Sequence, residues 1–139
     1  MKYVHLTVVA LSIALVAGAA AQQRVERSNM DLVGYDDLQG RSAYQPIVHK
    51  QGDRWIAYIG HHGGSALNPL TGKQEPNGTS IVDVSNPKQL KYLAHIPGDA
   101  AGGGEAGGAQ MVRACNGSDL PRADKSKVYL LRSFGTSGH

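Results

Sequence analysis

The stretch TSIVDVSNPKQLKYLAHIPG, residues 79–98, decides the fold: two apolar runs flank Asn-Pro, and a carboxylate sits inside the first. In an extended chain, alternate side chains point to opposite faces, so Val82 and Val84 share one face while Ile81, Asp83 and Ser85 share the other. The valine face is expected to be the buried one. Asn86 at position i and Pro87 at i+1 suit a type I turn over residues 86–89, with a return strand over 90–96. Asp83 is then placed to accept hydrogen bonds from amides or hydroxyls two residues on and to fix where its strand stops. A catalytic carboxylate is the other reading of that residue.

Working outward, short Val-, Ile- and Tyr-rich runs recur between turn signals, and none of the sequence after residue 21 keeps helical spacing for three turns. The class is all-β. Strands are expected over residues 43–49 and 54–60, closed by the loop Lys50-Gln51-Gly52-Asp53, with Gly52 supplying a positive φ. A further short strand is expected over residues 32–35, and residues 63–78 read as a long connection. The run GDAAGGGEAGG, residues 98–108, holds six glycines in eleven positions and reads as a linker. It lacks the lysine and hydroxyl of a phosphate-binding loop.

After the linker the pattern restarts. QMVR (residues 110–113) aligns with PIVH (46–49), and VYLLRSFG (128–135) aligns with IAYIGHHG (56–63). Repeated antiparallel four-stranded units are the sequence mark of a β-propeller blade. The chain therefore divides into an N-terminal segment (22–42), a first repeat (43–97), the linker and an incomplete second repeat (109–139). About one and a half blades cannot close a ring, which takes at least four, so the expectation is part of a longer protein.

The beginning of the chain suggests where it works. Lys2 precedes a mildly apolar run over residues 4–21 that ends in AGAAA, the pattern of a secretory signal cleaved after Ala21. The expected location is extracytoplasmic, periplasmic or secreted, with no stable membrane insertion after cleavage. The 118 residues that remain carry 13 basic and 11 acidic side chains. That balance, with no Lys/Arg cluster and few aromatics, excludes nucleic acid as the expected partner. Cys115, the single cysteine, reads as a buried thiol, a free thiol or half of a bridge.

SIVDVSNP, within residues 79–98, resembles the core motif of the LVIVD-repeat proteins, secreted bacterial chains thought to form propellers. Residues 32–64, LVGYDDLQGRSAYQPIVHKQGDRWIAYIGHHGG, are similar to the opening of such proteins. The similarity runs from about Asn29 to His139. It implies a propeller and, after a segment like RSFGTSGH, a further strand of the IVDVS type; it supplies no catalytic residues.

Strand geometry sorts the candidates for chemistry. A four-residue loop would pair His49 with Arg54 and set His61 opposite Ser42, about 23 Å from His49 at the usual rise. The second hairpin sets His95 opposite Ser80, and if the strands of residues 54–60 and 79–85 are neighbours, His95 lies beside the end bearing His61 and His62. The long connections emerge at the same end, so this rim is expected to bind a ligand, either a protein or a small molecule. The sharper expectation is a divalent metal or general-base site of His61, His62 and His95, with Asp37 as a carboxylate partner and Arg41 as an anion clamp. Two function classes follow: a binding or scaffolding module, and a metal- or His-dependent hydrolase or oxidoreductase. Ser133, Ser137 and His139 lack the strand-turn-helix setting of a serine nucleophile. Asn77-Gly78-Thr79 and Asn116-Gly117-Ser118 fit a glycosylation sequon but read more simply as turns. Trp55 and Tyr58 fall on opposite faces.

Overall fold

The alternation in the sequence becomes a sheet in the computed structural model, which describes residues 29–99 and 107–133. The expected signal over residues 1–21, the middle of the glycine-rich stretch, Ser137 and His139 lie outside the described residues. Among those described, the structure is all-β: eight strands, two 3-10 turns and no α-helix. No helix among them is long and apolar enough to cross a membrane. The strands are β1 (Ala43–Gln51), β2 (Arg54–His61), β3 (Ser65–Asn68), β4 (Lys73–Pro76), β5 (Gly78–Asp83), β6 (Lys91–Pro97), β7 (Val112–Asn116) and β8 (Val128–Arg132). One antiparallel sheet has the order β1-β2-β5-β6; β3-β4 and β7-β8 form two separate hairpins, and no barrel closes among the described residues.

Both faces of the four-stranded sheet are apolar. On one face, Ala57, Ile59 and Val82 pack with Val84, Leu90 and Tyr92, and Leu38 from the 3-10 turn Leu38–Gly40 covers them. On the other, Ile56 and Tyr58 pack with Ile47, Ile81 and Leu93 against Val112, Ala114 and Leu130 of the β7-β8 hairpin. Each large aliphatic side chain so buried stabilises the fold by about 1.5–3 kcal/mol. A one-residue slip would exchange the two faces, and this burial therefore fixes the register.

Two irregularities refine that register. Opposite Ile59, β1 carries both Gln45 and Pro46, with Gln45 at φ 43°; a bulge suits a proline that has no N–H for the ladder. In β6, Leu93 is the extra residue between the pairs Ile81–Ala94 and Val82–Tyr92. That insertion puts His95 opposite Ser80.

Three expectations are corrected. Residues 32–35 form no strand: Leu32, Val33 and Tyr35 are exposed, and Asp36 Oδ1 accepts from Leu38 N (2.8 Å) and Asp37 Oδ1 from Gln39 N (2.9 Å), turning the chain instead. The first hairpin has a two-residue turn, Gly52-Asp53, with Gly52 at φ 60°. His49 therefore faces Ile56 instead of Arg54, and His61 faces Ala43 instead of Ser42. Residues 63–78 contain the β3-β4 hairpin. Its turn is held by Asn68, whose Oδ1 accepts from Leu70 N (3.0 Å) and whose backbone oxygen accepts from Gly72 N (2.8 Å).

The far end of β2 is fastened by residues 107–110. Ala109 N donates to His61 O at 3.0 Å, and His62 and Asp99 each bridge to Gly108. Gly60 makes that approach feasible: a Cβ there would lie 2.2 Å from Ala109 O and 2.3 Å from Gln110 O.

Candidate functional site: the histidine rim and its hairpin

The end of the sheet bearing the start of β1, the end of β2, the start of β5 and the end of β6 gathers Arg41, His61, His62 and His95. His61 is the most deeply placed, with no exposed surface. Its Nδ1 lies 2.7 Å from Ser42 O, an oxygen that can only accept, so Nδ1 carries the proton. Nε2 is then the acceptor for the Ser80 hydroxyl at 2.7 Å, and Ser80 Oγ in turn accepts from the Tyr92 hydroxyl at 3.1 Å. This directed chain needs neutral imidazole. Burial, with smaller contributions from His95 and Arg41, brings the His61 pKa down from 6.5 to about 4, against the raising effect of the Ser42 bond.

His95 stands 6.3 Å from His61 between ring centroids. Its Nε2 donates to Pro76 O at 2.9 Å. Burial lowers its pKa too, with the Arg41 charge acting in the same direction. His62 meets the edge of Tyr44 at 5.1 Å. The Nδ1 atoms of His62 and His95 are buried without a hydrogen-bond partner.

These positions bear on the expected metal set of His61, His62 and His95. Among the described residues no group of three or more His, Cys, Asp or Glu side chains is arranged to hold an ion. Both His61 nitrogens are already engaged, and adjacent strand residues send His61 and His62 to opposite faces. Asp37 is also remote in role, since its carboxylate caps the 3-10 turn. Ser80 and His61 form a hydroxyl–imidazole pair, yet neither has exposed surface, so a substrate carbonyl has no approach to Ser80 Oγ.

Arg41, expected as an anion clamp, spends its guanidinium on the protein's own oxygens. It is 5% exposed, and its guanidinium donates to Ala66 O (2.9 Å), Glu75 O (3.4 Å) and the side-chain oxygen of Asn77. A planar fork with fixed donor directions suits three separated oxygens. Arg41 thereby ties β3 and β4 to the rim. The hairpin it holds presents Leu67 and Leu70, both about half exposed. Asn77 is buried by this contact, so its sequon offers no accessible amide. Sequence reasoning missed the hairpin, although the turn signal Asn68-Pro69 and Gly72 at φ 67° marked its place.

At the opposite end, Asp83 is the last residue of β5. Its Oδ1 accepts from Ser85 N (3.0 Å) and Ser85 Oγ (2.6 Å), and its Oδ2 pairs with Arg54 Nε (2.9 Å). The Ser85 bonds, then Arg54, hold its pKa down at about 2. Gln89 N donates to Asn86 O (2.9 Å) across the turn containing Pro87, and Lys88 N donates to Asn86 Oδ1 (3.1 Å). Cys115 is a free, half-buried thiol. No family model matches the chain, and neither do any curated protein or solved structure.

Proposed function

We propose that this chain is a propeller-type β-repeat module of the LVIVD kind, exported from the cytoplasm, that binds or scaffolds a protein partner through its hairpin-bearing rim. The observation that carries this reading is the anchoring of β3-β4 by Arg41. Three hydrogen bonds from one buried guanidinium hold a projecting hairpin in place while Leu67 and Leu70 stay exposed. A preorganised element bearing apolar anchors loses little entropy on association, which is the economical way to make a contact surface. The blade reading draws support from a four-stranded antiparallel meander with an apolar side on each face.

The second reading, a His-dependent hydrolase, draws on the 2.7 Å Ser80–His61 contact; the burial of both residues weighs against it. Both readings are tested on the full chain expressed with its native export route. Cross-linking at the rim is expected to recover a discrete protein species that is lost from Leu67→Asp/Leu70→Asp while the variant stays folded. An unchanged cross-link pattern in that variant refutes the rim reading. Covalent labelling of Ser80 by a fluorophosphonate would establish the hydrolase instead.

A further inference from the structure

An open cleft of about 530 Å³ lies at the other end of the sheet, between the β1-β2 turn and the connection from β7 to β8. Among the described residues its walls include Lys50, Lys125 and Lys127 but no acidic residue. Two carboxylates of the β7-β8 connection are engaged within it, while Asp53 of the β1-β2 turn adjoins the lining residue Gly52. Asp119 accepts from Asn116 Nδ2 (3.2 Å) and Ser118 Oγ (3.0 Å); Asp124 accepts from Ser126 N (3.0 Å) and Ser126 Oγ (2.7 Å) and pairs with Lys127 (3.2 Å).

The donor side is less fully used. Lys125 Nζ donates to Leu120 O (2.5 Å) and Ser118 O (3.4 Å), two neutral oxygens that leave its charge uncompensated and its third proton free. Lys50 lies 5.7 Å from the Trp55 ring centroid, a contact that leaves its charge in place. Tyr58 lines the cleft although the residue is only 7% exposed. Its hydroxyl accepts from Gln51 Nε2, leaving its own proton to be donated. A concave surface with spare protons on a buried phenol and on ammonium groups, and with no carboxylate among its described walls, selects for an acceptor-rich ligand.

We propose that this cleft binds a small oxyanion, a phosphate monoester or a carboxylate, with Lys50 and Lys125 supplying the charge and Tyr58 the directional hydrogen bond. The site is independent of the rim, so it stands or falls separately. The full chain is titrated with glucose 6-phosphate, glucuronate and neutral glucose at constant ionic strength, by calorimetry and by the emission of Trp55, the chain's single tryptophan. Saturable binding of at least one anionic sugar, with glucose inert, is the expected result; the two anions distinguish phosphate from carboxylate. Lys50→Gln should weaken it severalfold without lowering the melting temperature, and Tyr58→Phe should also weaken it severalfold. Lys125 is left intact because it also supports the loop backbone. An unsaturable response, equal binding of glucose, or wild-type affinity in Lys50→Gln overturns the proposal.

Discussion

Replacing His61 by glutamine should flatten the acid side of the stability profile. In the folded chain the imidazole is neutral down to about pH 4, whereas its ordinary value is 6.5. Between those limits the unfolded chain holds a proton that the folded chain refuses, so stability is full above pH 6.5 and falls as the pH is lowered. Each pH unit inside the window removes about 1.36 kcal/mol. From pH 6.5 to 5 the His61 contribution is therefore a loss of about 2 kcal/mol, and about 3 kcal/mol is gone by pH 4.

The window can be separated from the carboxylates. The pKa values of Glu75, Asp83 and Asp124 are lowered, from 4.5 for the first and 3.8 for the others, so the stability they contribute is lost only as the pH falls below those ordinary values. The assay is urea unfolding at half-unit steps from pH 7.5 to 5, comparing wild type, His61→Gln and His95→Gln. At pH 7.5 the His61→Gln chain should be less stable by about 1–3 kcal/mol, because Ser42 O or Ser80 Oγ loses its buried partner. Its stability should then decline less steeply than that of wild type as the pH falls. His95→Gln should also reduce the slope, since the burial of His95 acts in the same direction. Parallel slopes for wild type and His61→Gln would refute the neutral, hydrogen-bonded imidazole described above.

Two further outcomes follow from the rim. Arg41→Met should leave Ala66 O, Glu75 O and Asn77 Oδ1 without their donor, costing about 1–3 kcal/mol for each oxygen that stays dry; amide exchange should quicken across residues 65–76 first, with β1 and β2 remaining protected. Gly60→Ala should lower stability by about 1–3 kcal/mol, the usual cost of overpacking, because the new methyl meets two backbone oxygens; an unchanged denaturation midpoint would show that residues 109–110 do not pack there.

The strands of the large sheet were legible because their side chains alternate and their turns are marked by Gly52 and by Asn86-Pro87. The register of the first hairpin was not, since a two-residue and a four-residue closure use the same letters and differ only in which backbone groups meet. The β3-β4 hairpin was hidden for another reason. Its strands, SALN and KQEP, have little intrinsic preference for extended structure, and their placement depends on Arg41, more than twenty residues before the nearer of its contacts. The opposite error occurred at residues 32–35, where LVGY has the composition of a strand but no neighbour to pair with. At the site, alignment along strands brought His95 to His61, yet it could not reveal that the imidazole nitrogens are used by Ser42 and Ser80. That depends on side-chain depth, which alternation alone does not encode.

The internal repeat is where sequence and packing diverge most instructively. Aligning QMVR with PIVH makes Val112 the counterpart of Val48, and aligning VYLLRSFG with IAYIGHHG makes Leu130 the counterpart of Tyr58. Val48 pairs with Ala57, so Val48 and Tyr58 belong to opposite faces of the first sheet. Val112 and Leu130 nevertheless share one face, packing together on Ile56 and Tyr58. Both halves of the alignment cannot hold in one hairpin. The physical difference is the connection: β1-β2 turns on two residues, whereas β7-β8 is joined by residues 117–127, whose own bonds set the register. Gly117 N donates to Lys127 O (2.7 Å) and Lys127 N to Asp124 O (3.2 Å). The β7 match puts Val112 on the Val48-type face, as the proposed stacking of repeats requires; the β8 match does not. The proposed propeller reading therefore draws on which faces are apolar and how the hairpin covers one of them, more than on the letters of the second copy.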